Sequence, residues 1–175
     1  LRGSEPGTVA AQAPPRIEAA RFHDQLSLFT EVVLPRTGVT PSDDIAGSFQ
    51  AAWAPALDAA CAVPQSLLLR DYFADNLMWL DARPGIAACG LLDFQDGGIG
   101  PVSYDLMSLI DDARRDIPPE LGERCRTRYL AAFPDLDRER FDLSCAVLAA
   151  ARALRSVPLF LLLDAAGRPH YARHL

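Results

Sequence analysis

The sequence predicts an α+β domain that is mainly α, with a small β-hairpin insert near its middle. Three observations predict it. Apolar residues recur at helical spacing on both sides of a central stretch. Within that stretch, short apolar runs are broken by the turn signature Ala82-Arg83-Pro84-Gly85. The chain has 175 residues, half of them hydrophobic, enough to bury one core.

Residues 1–15 are rich in Gly, Pro, Ala and Ser and read as a loop or linker, leaving 16–175 as the folded domain. From Arg16 to Leu34, Ile17, Phe22, Leu26, Phe29 and Val33 trace one face of an amphipathic helix, which Pro35 and Gly38 end. A second helix begins near Ser42, where Ser-Asp-Asp supplies a capping oxygen and first-turn acids. Pro55 is expected to kink or break it. Ser66–Leu69, Leu77–Leu80 and Ile86–Leu92 read as short strands, the last two paired as a hairpin. Helical spacing returns at Tyr104, with Leu106, Leu109, Ile110 and Ala113 on one face and Asp111, Asp112, Arg114 and Arg115 off it. Two more helices follow, over Pro119–Ala132 and Asp137–Ser156, and Pro158 is expected to prevent direct continuation.

The composition narrows the function classes. A formal net charge of −6 disfavours nucleic-acid partners, whose phosphates attract basic surfaces. The apolar run Val157–Leu163 is far shorter than the ~20 residues of a membrane span, and no signal peptide is visible. Cys61, Cys89, Cys125 and Cys145 are scattered without a C-x-x-C pair, as expected of buried free thiols in a reducing cytosol. His23, His170 and His174 lack metal-ligand spacing and read as surface residues, whereas Trp53 and Trp79 read as core. Arg114 and Arg115 read as a solvated face paired with Asp111 and Asp112.

The chemistry lies in Leu69-Arg70-Asp71-Tyr72-Phe73-Ala74-Asp75-Asn76 and, after the hairpin, Leu91-Leu92-Asp93-Phe94-Gln95-Asp96. An Asp, an Asn five residues later and a second, apolar-flanked Asp after a hairpin form a set suited to phosphoryl transfer. The first accepts the proton of an attacking hydroxyl, and the other two hold Mg²⁺ against nucleotide phosphates.

Arg70-Asp71-x-x-x-x-Asn76 resembles the protein-kinase-like catalytic loop. The longer run through Met78-Trp79-Leu80, Gly90-Leu-Leu-Asp-Phe-Gln-Asp and Gly100-Pro-x-x-Tyr-Asp105-Leu resembles the aminoglycoside-phosphotransferase superfamily, above all its bacterial N-acetylmuramate and N-acetylglucosamine kinases. Asp111-Asp-Ala-Arg-Arg-Asp116 is similar to the same branch. The resemblance implies the C-terminal lobe of a protein-kinase-like fold, with Asp71 as catalytic base. Asn76 and Asp93 are then the Mg²⁺ and ATP-binding ligands, with Gln95 and Asp96 beside them. Asp105 ties the following helix to the catalytic loop. The expected partners are ATP and a sugar or amino-sugar hydroxyl. Leu69 stands where the family usually has His, and Phe73 where it commonly has His or Lys.

The 17 basic residues are all arginine, so the strand lysine that pairs with nucleotide phosphates in this family is absent. No phosphate-covering glycine loop precedes Asp71, and Gly97-Gly98-Ile99-Gly100 reads as a turn after the metal ligand. A longer protein is therefore expected, whose N-terminal nucleotide lobe completes the site. The 175 residues alone are expected to be inactive. The helix bearing His23, Asp24 and Glu31 either lines the acceptor pocket or merely packs. Two other readings are a pseudokinase-like binding or regulatory module, suggested by Leu69 and Phe73, and a plain helical scaffold.

Overall fold

The computed structural model describes residues 13–174, so most of the loop expected over 1–15 lies outside the described residues, as do the side chains of His170 and Ala172. The first helix, α1 (Ala19–Leu28), starts three residues later than its apolar spacing suggests and continues through a wider π turn (Phe29–Val33) and a tight 3₁₀ turn (Leu34–Thr37). A strand claims the missing residues. Ile17 N–H donates to the Ile99 carbonyl (2.7 Å) and Ile99 N–H to the Pro15 carbonyl (2.8 Å).

Helix α2 (Asp43–Cys61) is capped as its sequence predicts, with Ser42 Oγ accepting from Ile45 N–H at 3.3 Å. It continues past Pro55, which does not break it. Both Pro55 and Ala51 are exposed, so the carbonyl that loses its partner can be hydrated. The buried face of α1 and α2, with Phe22, Leu26, Leu57 and Ala60, packs on Tyr104, Met107, Leu148 and Ala151.

Two antiparallel pairs form the β portion. Strand β1 (Gln65–Leu68) pairs with β4 (Gly98–Pro101), and β2 (Leu77–Trp79) with β3 (Cys89–Leu91). The hairpin expected of β2 and β3 is present, although Gly85–Ala88 forms a 3₁₀ turn before β3. Strand β4 corrects the reading of Gly97–Gly100 as a turn. It lies between β1 and the 15–17 segment so tightly that a Cβ on Gly98 would stand 2.5 Å from the Pro15 carbonyl oxygen. Glycine is there for close approach of backbones.

Helix α3 (Tyr104–Ile110) stops short of Ala113. Asp112 turns the chain instead, its Oδ1 accepting from Arg114 N–H at 3.1 Å, while Arg152 donates to the Asp111 carbonyl at 3.2 Å. Helix α4 (Pro119–Ala132) agrees with the sequence, and α5 (Arg138–Ala165) begins where the sequence places it, with Asp137 Oδ1 accepting from Arg140 N–H as its cap. Pro158 does not stop α5, because it is fully buried in contacts that outweigh the lost helical bond. By length and composition α5 could cross a membrane, but in this fold it packs against α1, α2 and α3. After α5, a 3₁₀ turn (Pro169–His174) folds back, with the rings of Tyr171 and His174 against Phe160.

Buried serines join three helices. Ser144 Oγ donates to the Ala60 carbonyl at 2.6 Å and lies 2.6 Å from Ser103 Oγ. All four cysteines are free; burial pushes the Cys61 and Cys145 thiols up to about 11, whereas Cys89 is exposed rather than buried.

Gly98→Ala is expected to cost about 1–3 kcal/mol by forcing β4 away from Pro15 and Ile17. Urea denaturation should show a lower midpoint with an unchanged slope; an unaltered midpoint contradicts the packing.

Candidate active site

The site is built outward from Asp105, in the first turn of α3. Its carboxylate crosses to the end of β1, accepting Leu69 N–H on Oδ2 (2.7 Å) and Arg70 N–H on Oδ1 (3.0 Å). Those two bonds hold Arg70 in the left-handed region, φ 67°, a conformation that costs a non-glycine residue about 1–3 kcal/mol. Burial raises the Asp105 pKa, the neighbouring Asp71 charge adds to the rise, and the two N–H bonds oppose it. The tie expected of Asp105 is therefore a pair of hydrogen bonds.

Beyond Arg70 the chain turns sharply, Asp71 N–H donating to the Leu69 carbonyl at 2.9 Å, and a 3₁₀ turn at Ala74–Asn76 leads into β2. Asn76 is the hub. Its Nδ2 donates to the Asp71 carbonyl at 2.8 Å, and its own carbonyl accepts Leu92 N–H at 3.0 Å, one residue before Asp93. One amide side chain and one backbone bond thus tie the backbone at 71 and 92 to Asn76. The half-exposed Asp71 carboxylate has no hydrogen-bond donor among the described residues.

Asp93 is exposed and left-handed, φ 57°, with Oδ1 3.3 Å from Gln95 Nε2. Asp96 contributes its carbonyl, which accepts from Arg70 Nη1 at 3.3 Å and joins the two loops. Because Asn76 spends its Nδ2 on the loop, Oδ1 remains as an acceptor toward a cation. Among the described residues no cluster of three or more His, Cys, Asp or Glu forms a self-sufficient metal cage. One carboxylate and one amide oxygen suit Mg²⁺, which normally completes its shell with water and substrate phosphates.

Several residues lie elsewhere than the sequence suggests. Arg115 pairs with Asp75 of the catalytic loop, and the Arg114 guanidinium lies over the Phe73 ring, 3.9 Å from its centroid, with Nη1 3.4 Å from Asp112 Oδ1. Arg114 thus keeps one of the expected acids, Asp112, while lying against the loop, and Arg115 leaves both for Asp75. The Asp75–Arg115 contact spans 40 residues, beyond the reach of helical spacing. His174 is half-buried against Phe160 rather than free at the surface. Trp79 is 74% exposed rather than core, because no described residue covers that face of the β2–β3 hairpin. His23 Nε2 lies 3.1 Å from the Gln50 carbonyl, joining α1 to α2, as in the packing alternative for that helix.

A family model described as the phosphotransferase enzyme family matches residues 7–141, most of the chain and all of the loops just described. The chain belongs to the phosphotransferase enzyme family. Among its relatives, an N-acetylmuramate/N-acetylglucosamine kinase of Caulobacter vibrioides is 41% identical over 125 residues, covering 71% of this chain and 34% of the relative. A protein of the same name from Pseudomonas putida is 30% identical over 165 residues, covering 90% and 47%. One from Neisseria meningitidis is 48% identical over 52 residues, covering 30% and 14%. The chain thus spans about a third to a half of the first two relatives. Family membership accounts for the protein-kinase-like character of a mainly helical domain with two small sheets.

Replacing Asp105 by Asn puts an amide donor against one of two backbone donors. Hydrogen exchange at the Leu69 and Arg70 amides should accelerate about 10-fold or more, the loss of one such bond. Unchanged protection would contradict the tie.

Proposed function

We propose that this chain is the catalytic lobe of a small-molecule kinase that transfers the γ-phosphoryl group of ATP to a hydroxyl of an amino sugar. One observation carries the reading: Asn76 links the Asp71 turn to the residue before Asp93. In the reaction, the acceptor hydroxyl approaches Asp71, whose carboxylate takes its proton as the oxygen–phosphorus bond forms and ADP departs. Asn76 and Asp93 are the residues to hold Mg²⁺, which when bound offsets charge on the phosphates. The relatives' shared name favours an N-acetylated amino sugar as acceptor. ATP as the phosphoryl donor favours the cytosol.

The remainder of the nucleotide site belongs, in this reading, to an N-terminal lobe of the full-length protein. Exposed apolar residues on and beside the hairpin (Met78, Trp79, Ile86, Leu92 and Phe94) suit a covering partner. The lysine-free sequence also requires such a lobe, since a strand lysine is the usual phosphate partner in this fold. A pseudokinase reading is less favoured. Leu69 retains the backbone bond to Asp105, and Phe73 supports an arginine beside the loop.

In the full-length protein, Asp71→Asn should lower turnover of N-acetylmuramate and N-acetylglucosamine with Mg-ATP by about 10²–10⁴-fold. ATP affinity, measured by calorimetry, should remain within a few-fold. A variant as active as the parent would overturn the assignment of the base. The isolated 175-residue chain should show no turnover, and measurable phosphorylation by it would remove the need for a second lobe.

A further inference from the structure

Beside the catalytic loop lies a cavity of about 380 Å³ that the phosphoryl-transfer residues do not use. Phe73 and Asp75 form its loop wall, Arg114 and Arg115 come from the turn after α3, and Arg173 and His174 from the folded-back C-terminal turn. Its charge is unusual for this chain. Three guanidinium groups face one lining carboxylate, whereas the whole protein carries a net charge of −6.

The three arginines are not equivalent. Arg115 pairs with Asp75, so its charge is largely offset. Arg114 is fixed in place by the Phe73 ring on one side and by an ion pair with the buried Asp112 on the other, so its charge is also partly offset. Arg173 donates through Nε to His174 Nε2 at 3.1 Å and has no carboxylate partner among the described residues. The cavity therefore offers one guanidinium without a carboxylate partner among the described residues, Arg173, beside two that are held in ion pairs, an arrangement suited to a carboxylate. Phe73 is two residues from Asp71, so its backbone lies within about 7 Å of the proposed base. Asn76 and Asp93 do not line the cavity, which separates it from the proposed phosphate-binding side.

We infer that this cavity is an acceptor-specificity site that binds the carboxylate of an acidic amino sugar, with Arg173 as principal partner and Arg114 alongside. The identity of the sugar rests on the proposed amino-sugar kinase reading. N-acetylmuramate carries an acidic ether substituent that N-acetylglucosamine lacks, so the cavity discriminates between the two by charge. Phe73, in a position where a polar residue is common in the family, gives Arg114 a surface to lie on.

Calorimetric titration of the full-length protein with each sugar, with and without saturating Mg-ATP, tests the inference. The parent should bind N-acetylmuramate about 10-fold or more tighter than N-acetylglucosamine. Arg173→Gln, an exposed change, should erase that preference and leave N-acetylglucosamine affinity unchanged. An undiminished preference, an equal loss for both sugars, or no binding of either overturns the site. Weakened ATP binding with unchanged sugar binding would assign the arginines to the nucleotide and also overturn it. Turnover of N-acetylglucosamine is measured separately. Its absence in the parent sinks the kinase reading, while the binding preference still decides whether the cavity reads a carboxylate.

Discussion

Two hydrogen bonds from the Leu69 and Arg70 amides to the Asp105 carboxylate set the course of the loop on which the proposed site depends. They connect the first turn of α3 to the end of β1 and hold the backbone in a conformation that Arg70 would not adopt unaided. The partly buried carboxylate resists ionisation, yet its ionised form is the better acceptor for two amides, so burial and hydrogen bonding act against each other. Helix α3 supplies the rigidity, because Tyr104, Leu106 and Met107 anchor it in the core. Catalysis by positioning requires such a foundation, since small displacements of a base or metal ligand are costly.

From that foundation the geometry propagates through Asn76. Its side chain closes the loop on Asp71 and its carbonyl receives the strand that leads to Asp93. The same loop presents Phe73 and Asp75 to the opposite wall of arginines. A single eight-residue segment, Leu69–Asn76, thus faces a candidate metal site on one side and a basic cavity on the other. This accounts for the dense clustering of unusual side chains in a chain otherwise made of packing helices.

Much of this was legible in the sequence because it is local. The helix cap at Ser42, the start of α5 near Asp137 and the turn between β2 and β3 declare themselves within short windows, as does the Asp71, Asn76 and Asp93 spacing on which the proposed site rests. Failures came where distant contacts overrode local preference. Pro55 and Pro158 look like helix breakers, but solvent at one and close packing at the other let the helices continue. Gly97–Gly100 has a turn's composition, and only the approach of Pro15 and Ile17 reveals a strand. Arg114 and Arg115 match helical pairing with nearby acids until α3 stops at Ile110 and redirects them to Phe73 and Asp75. Arg173 and His174 reach the same cavity because aromatic contacts with Phe160 fold the end of the chain back.

A crystal structure of the full-length protein with Mn²⁺, in place of Mg²⁺, and a non-hydrolysable ATP analogue would examine this arrangement most directly. The account predicts anomalous density for a metal within about 2.0–2.3 Å of Asn76 Oδ1 and an Asp93 carboxylate oxygen, with the γ-phosphate turned toward Asp71. A metal bound elsewhere, or a γ-phosphate facing away from Asp71, would contradict it.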